Sequence, residues 1–348
     1  MNAHLQAWDI AVEDFPADGF AADQLEFLLG YAILAPSIHN TQPWLFRLHT
    51  TDVEVFADPR RSLPVVDPYG RQRTLSCGAA LLNLRVAAEY FGHAYQLETF
   101  PDPAQAHLLA RLHLGLRCET GSEDVLLFQA IPERRTSREP FRPEPLSPEV
   151  SQALEAAAEA EGAWLHLVRD DEGRNALADL VAEADLLQWS DKQFREELAT
   201  WVRLNPEQQR DGIPLPQLGV RNWLTSMAPL LIRTFNRGAG QAAKDREIAQ
   251  YSPALAVLGT AADTPAAWLA AGQALEHVLL RARCEDLSAS FLNQPIEVFG
   301  LRDAVRAVTG REGFPQVLLR LGRGPAVIPT PRRSVREVLL HHQGNHAK

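Results

Sequence analysis

The run Arg134-Arg135-Thr136-Ser137-Arg138 sets three guanidinium groups and two hydroxyls within five residues, and Glu139-Pro140-Phe141-Arg142-Pro143 follows directly. Guanidinium forks match phosphate oxygens in pairs and hydroxyls complete the shell, so the run suits a phosphate dianion; a solvated basic turn is the competing reading. Pro329-Thr330-Pro331-Arg332-Arg333-Ser334 repeats this chemistry near the C-terminus on a segment stiffened by proline, and two distant basic spots can serve one phosphate. A third cluster, Ala35–Trp44 (APSIHNTQPW), places Ser37, His39, Asn40, Thr41 and Gln42 between Pro36 and Pro43. Proline disfavours helix in the residue before it, so this stretch reads as a short polar turn between a helix and a strand. Its amides and the Asn40 and Gln42 side chains can then face the edge of a heteroaromatic ring, although a purely structural connection would also be polar. His39 titrates near neutrality, yet a hydrogen-bonded structural histidine is the simpler reading, and no acid or base is assigned.

The elements that position these clusters emerge when the chain is laid over itself. Cys77–Ala88 aligns without gaps to Ala271–Ala282, with Gly78, Ala80 and Leu81 answered by Gly272, Ala274 and Leu275 at an offset of 272 − 78 = 194. Both segments carry apolar residues at spacings of three and four, which predicts buried helices, and their small residues permit close backbone approach. A second echo pairs the helical stretches Leu25–Leu34 and Val150–Ala160, followed by the strand-like runs Trp44–Leu48 and Trp164–Val168. Each half therefore runs helix, strand, turn-rich linker, buried helix, strand, an α+β pattern rather than a βαβ alternation. The boundary is expected near residues 120 to 133, dividing the chain into 1–125 and 126–348. A long extra segment, about Glu183–Ala249, contains Trp189, Trp201, Trp223 and the turn Asp211–Pro216; it reads as a lid-like insertion or as a packing helix pair.

Composition narrows the function. The chain has 348 residues, 46% apolar content and a net charge of −10, which supplies ample core for two units and argues against broad nucleic-acid binding. Cys77, Cys118 and Cys284 are dispersed and odd in number, the N-terminus carries acids where a signal peptide carries bases, and no apolar run approaches membrane-spanning length. A cytoplasmic protein without a membrane anchor is expected. Gly238–Ala243 matches G-x-G-x-x-A, but no buried strand directly precedes it, so a dinucleotide fold is disfavoured. Motifs for hydrolases, nucleoside triphosphatases and metalloenzymes are absent from the sequence.

Taken together these motifs resemble the nitroreductase superfamily. APSIHNTQPW looks like the segment that nitroreductases place against the isoalloxazine ring of FMN, and RRTSR resembles their arginine–hydroxyl motif for its phosphate. Those enzymes bind flavin at a homodimer interface, one subunit giving the arginines and its partner the turn. Here the first half has only the turn and the second only the arginines. That division, with Leu63–Pro68, Cys77–Ala80 and the PTPRRSV ending, is similar to the Acg-type branch, in which a fused pseudo-dimer holds one flavin. The resemblance implies a nitroreductase-like α+β fold of two related halves, an intramolecular pseudo-dimer with the insertion near its site, and a monomer able to hold FMN.

Carried over residue by residue, it implies that Arg134 and Arg138 pair with the FMN phosphate, Thr136 bonds nearby, and Arg332 or Arg333 closes the far side. Pro36, Ser37, Asn40 and Gln42 would meet the ring edge, and the backbone at Pro295 and Ile296 would approach flavin N5. Val298 stands where classical members often have glycine, which restricts that approach. The implied activity is transfer of a hydride from NADPH or NADH through FMN to a small electrophile such as a nitroaromatic or quinone. The alternative is a protein that holds or sequesters FMN under the insertion without turnover.

Overall fold

The aligned stretches belong to two helices of 20 residues, Arg71–Tyr90 and Pro265–Cys284. Each is started by a side chain: Asp67 accepts from the amides of Gln72 and Arg73, and Thr264 accepts from Ala267, with Pro265 in the first turn. The computed structural model describes residues 3–204, 209–214, 232–234 and 236–340. Residues buried on nearly every side of Arg71–Tyr90 make it a central core element.

The two central helices cross at the glycines of the repeat. A Cβ on Gly78 would lie 2.3 Å from the Leu269 carbonyl oxygen, and one on Gly272 would lie 2.1 Å from that of Leu75. The contacts are reciprocal and each is separated by the repeat offset, 269 − 75 = 194 and 272 − 78 = 194. Residue i meeting j while j's counterpart meets i's is the signature of a twofold interface, here inside one chain.

Each half contributes a four-stranded antiparallel sheet. The first comprises β1 (Trp44–Leu48), β2 (Asp52–Ala57), β3 (His93–Thr99) and β4 (Leu108–Arg117) in the order β1-β2-β4-β3. A minor parallel pair, β6 (Val202–Arg203) and β7 (Ile213–Pro214), interrupts the second half. The second sheet comprises β5 (Trp164–Val168), β8 (Ala254–Thr260), β9 (Ser288–Phe291) and β10 (Phe314–Gly322) in the order β5-β8-β10-β9. Both sheets thus run first, second, fourth, third, and each central helix lies between the second and third strands. The expected strands Trp44–Leu48 and Trp164–Val168 are observed with those bounds, and the helices before them run Ala21–Ala32 and Pro148–Glu159.

The halves differ between their first two strands. The first half has a short turn there, 49–51; the second has the helices Asp171–Ser190, Lys192–Trp201 and Gly238–Gln250. The extra segment therefore begins at Asp171 rather than near residue 183, which falls within Asp171–Ser190, a helix capped by the Asp170 side chain. Trp223 and Leu215–Pro216 lie outside the described residues. Leu177, Ala178 and Val181 pack against Leu255 and Val257 of β8 and Leu318 of β10, covering the outer face of the second sheet. Phe194 and Leu198 reach back to Leu63 and Val66 of the first half, and Glu197 accepts from the amides of Val65 and Val66. Gly238 opens its helix without a strand among the described residues just before it, so the G-x-G-x-x-A run lacks its dinucleotide-binding context.

Because the glycine crossing leaves no room for a methyl group, Gly272→Ala should lower unfolding stability by about 3 kcal/mol. Gly240→Ala, at an exposed helical position with nothing within 4 Å, should leave stability equal or slightly raised. Denaturant unfolding of both variants checks this, and equal stabilities would refute the crossing.

Candidate functional site

A cavity of about 330 Å³ lies where the two halves and the insertion meet, within the size range of small-molecule sites. Pro36–Asn40 of the first half forms one wall, and Arg134, Thr136 and Arg138 of the second form another. The arginine run is held beside β9 by a single bridge, Thr136 pairing with Ala289 and the Ser137 amide donating to the Ala289 carbonyl at 2.9 Å. Motifs some 100 residues apart thereby face one space.

At one end the guanidinium groups of Arg134 and Arg332 both donate to the Leu34 carbonyl at 3.2 Å. Both residues are 4% exposed. Trp8, from the N-terminal segment, donates its indole N–H to the Thr330 carbonyl at 2.8 Å and lays its ring against Arg135 and Arg332, 3.9 and 5.0 Å from the guanidinium carbons. Burial, with Arg134 and Arg135 adding repulsion, lowers the Arg332 pKa well below its ordinary value. The buried carboxylate facing this group is Glu276, 3.3 Å from Arg134 Nε. Three guanidiniums against one buried carboxylate leave a surplus of positive charge, and the Arg134 and Arg332 Nε atoms have no hydrogen-bond acceptor among the described residues. That end fits a dianionic phosphate.

The other end mixes signs. Arg138 is accessible from the cavity yet enclosed by protein, so burial lowers its pKa while Asp245 opposes the shift. Arg320, in the middle of β10, donates to the carbonyls of Ser137 and Glu139 and stacks on Phe141. Desolvation, then Arg138, brings His39 down to about 4, leaving it neutral at physiological pH. Asp185 and Asp245 of the insertion line the wall beside Gln294.

The turn itself is strained. His39, Asn40 and Gln42 all adopt positive φ, at 49°, 52° and 49°, a region costing about 1–3 kcal/mol for most non-glycine residues. Hydrogen bonds hold it: the Gln42 amide donates to Ser37 Oγ at 2.9 Å, and the Asn40 carbonyl accepts from the Gly212 amide at 3.1 Å.

Several expected contacts take a different form. Asn40 lines the cavity, but its side chain is committed to Arg332 Nη1, the Gly212 carbonyl and the Pro331 carbonyl, so it orients an arginine rather than offering a free amide. Gln42 is wholly buried, tying the Arg210 carbonyl to the Arg333 amide, and does not line the cavity. Arg333 turns away toward the carbonyls of Gln42 and Glu337. Gln294–Glu297 is a short helix whose Pro295 and Ile296 are buried, Ile296 in the apolar core, so that Asn293, Gln294 and Glu297 reach the cavity instead. Pro36, Ser37, Arg134, Thr136, Arg138 and Arg332 line it as named from sequence. Trp8, Asp185, Asp245 and Arg320 were not anticipated; an arginine inside the apolar strand Val317–Leu321 was the legible signal for the last.

Burial raises the Glu276 pKa to about 7 against the pull of Arg134. A carboxyl whose folded pKa exceeds its unfolded value binds more protons when folded, so stability is greatest below the unfolded pKa and is lost as pH rises through the folded one. Without ligand, unfolding free energy should fall by about 3 kcal/mol between pH 4.5 and 7 from this group. Glu276→Gln should flatten that slope in pH-dependent denaturation; an unchanged slope would assign it to other groups.

No family model matches the sequence. Among curated proteins, the chain is 36% identical over 326 residues to a Mycobacterium tuberculosis H37Rv protein named as an NAD(P)H nitroreductase, Rv3131, covering 91% of each chain. It is 31% identical over 323 residues to the protein named as NAD(P)H nitroreductase Acg from the same strain, covering 91% of this chain and 95% of that one. A Serratia protein named as NAD(P)H nitroreductase PigM matches at 24% over 340 residues, 92% of this chain and 94% of that one. The solved FMN-dependent nitroreductase NfnB of Mycobacterium smegmatis matches with 16% identity and a TM-score of 0.40 over 62% of this chain and 97% of that one. The sequence relatives match along nearly their whole length, and the chain belongs to the nitroreductase superfamily, in the branch that contains Acg.

Proposed function

We propose that the chain is an FMN-dependent oxidoreductase that binds one FMN in the cavity between its halves. The observation that carries this reading is the convergence of Pro36–Asn40 and Arg134–Arg138, each present once, on a single cavity with a cationic end. In this reading Arg134 and Arg332 hold the phosphate, Arg135 adds charge from its stack on Trp8, and Thr136 lies between. Pro36 and Ser37 border the ring, while Arg138 faces it from the opposite wall. The N5 side falls to Asn293 and Gln294 rather than to Pro295 and Ile296.

The flavin supplies two-electron chemistry, accepting a hydride from NADPH or NADH and passing it to a nitroaromatic, quinone or similar electrophile. The chain's own contribution is orientation and exclusion of water: Trp189, Phe194 and Leu198 of the insertion form an apolar wall of the cavity. The division at residues 125 and 126 falls in the helix Ser122–Ala130, whose Leu127 and Phe128 pack in the core of the first half. A folded, flavin-loaded monomer follows from the internal twofold. Among the described residues the three cysteines are free and no helix is long and apolar enough to cross a membrane.

Flavin released by denaturation should amount to one FMN per chain, and two would overturn the division of labour. NADPH or NADH should bleach the bound flavin, with colour restored by a quinone. Persistent colour would favour a protein that only holds FMN.

Each charge-assisted hydrogen bond contributes roughly 1.5–3 kcal/mol, so Arg134→Ala combined with Arg332→Ala should weaken FMN binding about a hundredfold or more. Riboflavin, lacking the phosphate, should lose little. Fluorescence titration at unchanged melting temperature measures both, and equal losses would remove the phosphate assignment.

A further inference from the structure

Two carboxyl groups of the insertion meet at the cavity wall. Asp185 lies on Asp171–Ser190 and Asp245 on Gly238–Gln250, two helices packed against one another. A single amide joins them: Gln294 Nε2 donates to Asp185 Oδ1 at 3.3 Å and to Asp245 Oδ2 at 2.9 Å. Gln241 Nε2 also donates to Asp245 Oδ2 at 2.9 Å. Asp185 is 2% exposed, borders the cavity, and its Oδ2 has no hydrogen-bond donor among the described residues. Asp245 is the more accessible of the two.

Two carboxylates this close, and largely removed from water, cannot both ionise without strong repulsion, so the pair retains a proton. Burial first, and Asp245 second, push Asp185 up to about 8, and burial also raises Asp245. The charged groups around them are Lys244 beside Asp245 on the same helix, Arg320 of β10, Arg138 of the arginine run and Glu297 of the short helix. Glu297 accepts from Gln188 and is raised by burial to about 7, so it is partly ionised at neutral pH and its charge adds to the push on Asp185. His39, which lines the same cavity from the first half's turn, is neutral at that pH and carries no imidazolium proton to give.

We propose that Asp185 and Asp245 form the proton-donating pair for the electron acceptor, sharing one proton that leaves through Asp245. This rests on the proposed function above. An acceptor such as a quinone gains a hydride, which arrives with the cofactor, and a proton, which the protein must provide. The O–H bond of the pair breaks as an O–H bond forms on the acceptor oxygen, yielding the hydroquinone. Arg138, Arg320 and Lys244 offset the resulting dicarboxylate, and a proton from water restores the pair. Asp245 is the donor, and Asp185 is the positioning residue that keeps it protonated.

FMN-loaded protein reduced chemically with dithionite, then mixed with p-benzoquinone, isolates this step from reduction by NADPH. The wild-type reoxidation rate should fall above about pH 8. Asp245→Asn should slow it about a hundredfold throughout, the scale of lost general-acid catalysis. Asp185→Asn should slow it at pH 7 but recover at lower pH, because its partner then ionises nearer the ordinary carboxylate range. Carbon-13 titration of aspartate carboxyls in the loaded protein gives a second readout: a resonance still protonated at pH 7 in the wild type should be missing from Asp185→Asn and should titrate at lower pH in Asp245→Asn. Wild-type reoxidation rates in both variants, or no protonated aspartate at pH 7, would overturn the proposal. Failure of NADPH and NADH to bleach the flavin would instead count against the proposed function, because dithionite bypasses that half-reaction. A chain that takes up no FMN would overturn both.

Discussion

The contact between Gly78 and Gly272 is the constraint on which the rest of this molecule depends. It brings two helix backbones to a separation that no side chain permits, and thereby sets the relation between the two sheets. The cavity is a consequence of that relation: the turn after the first helix and the arginine run before the second sheet belong to different halves, and only a defined juxtaposition of the halves makes them face each other. In an oligomer the same geometry would depend on concentration. Here covalent linkage removes that dependence and leaves each half free to specialise, one keeping the polar turn and the other the cations and the insertion.

Burying several guanidinium groups around one cavity is unfavourable for the protein alone. Desolvation dominates the behaviour of Arg135, Arg138, Arg320 and Arg332, and repulsion from neighbouring arginines adds to it at Arg135, Arg320 and Arg332. Backbone carbonyls at Leu34, Ser137 and Glu139 and the aromatic rings of Trp8 and Phe141 hold these cations in place without neutralising them. A bound anion completes such an arrangement, so stability and ligand affinity are opposed in its design.

Much of this was legible in the residues. The duplicated Gly-x-Ala-Leu pattern revealed the central helices because small residues at helical spacing have few uses besides close packing, and Trp44–Leu48 and Trp164–Val168 read as strands from their apolar content. The motifs located the cavity to within a few residues. What was not legible was direction. Gln42 and Asn40 are polar residues of one turn, but their amides are consumed by backbone groups of segments 168 to 291 residues away, which no local pattern encodes. Asp185 and Asp245 lie on different helices, and no local pattern encodes that the packing of those helices brings both carboxyls to Gln294 at the cavity wall.

The short segment 209–214 supports the strained turn. Gly212, itself at φ 74°, exchanges hydrogen bonds with Asn40, Arg210 accepts from Gln42, and Asp211 is clasped by Arg61 and Arg203. A piece of the second half thus keeps residues of the first in a conformation they would otherwise leave. Occupancy of the cavity and docking of this segment are therefore linked equilibria: each ligand that favours the left-handed turn tightens the segment's attachment, and by reciprocity a solvent or substitution that detaches the segment raises the ligand's dissociation constant by the same factor.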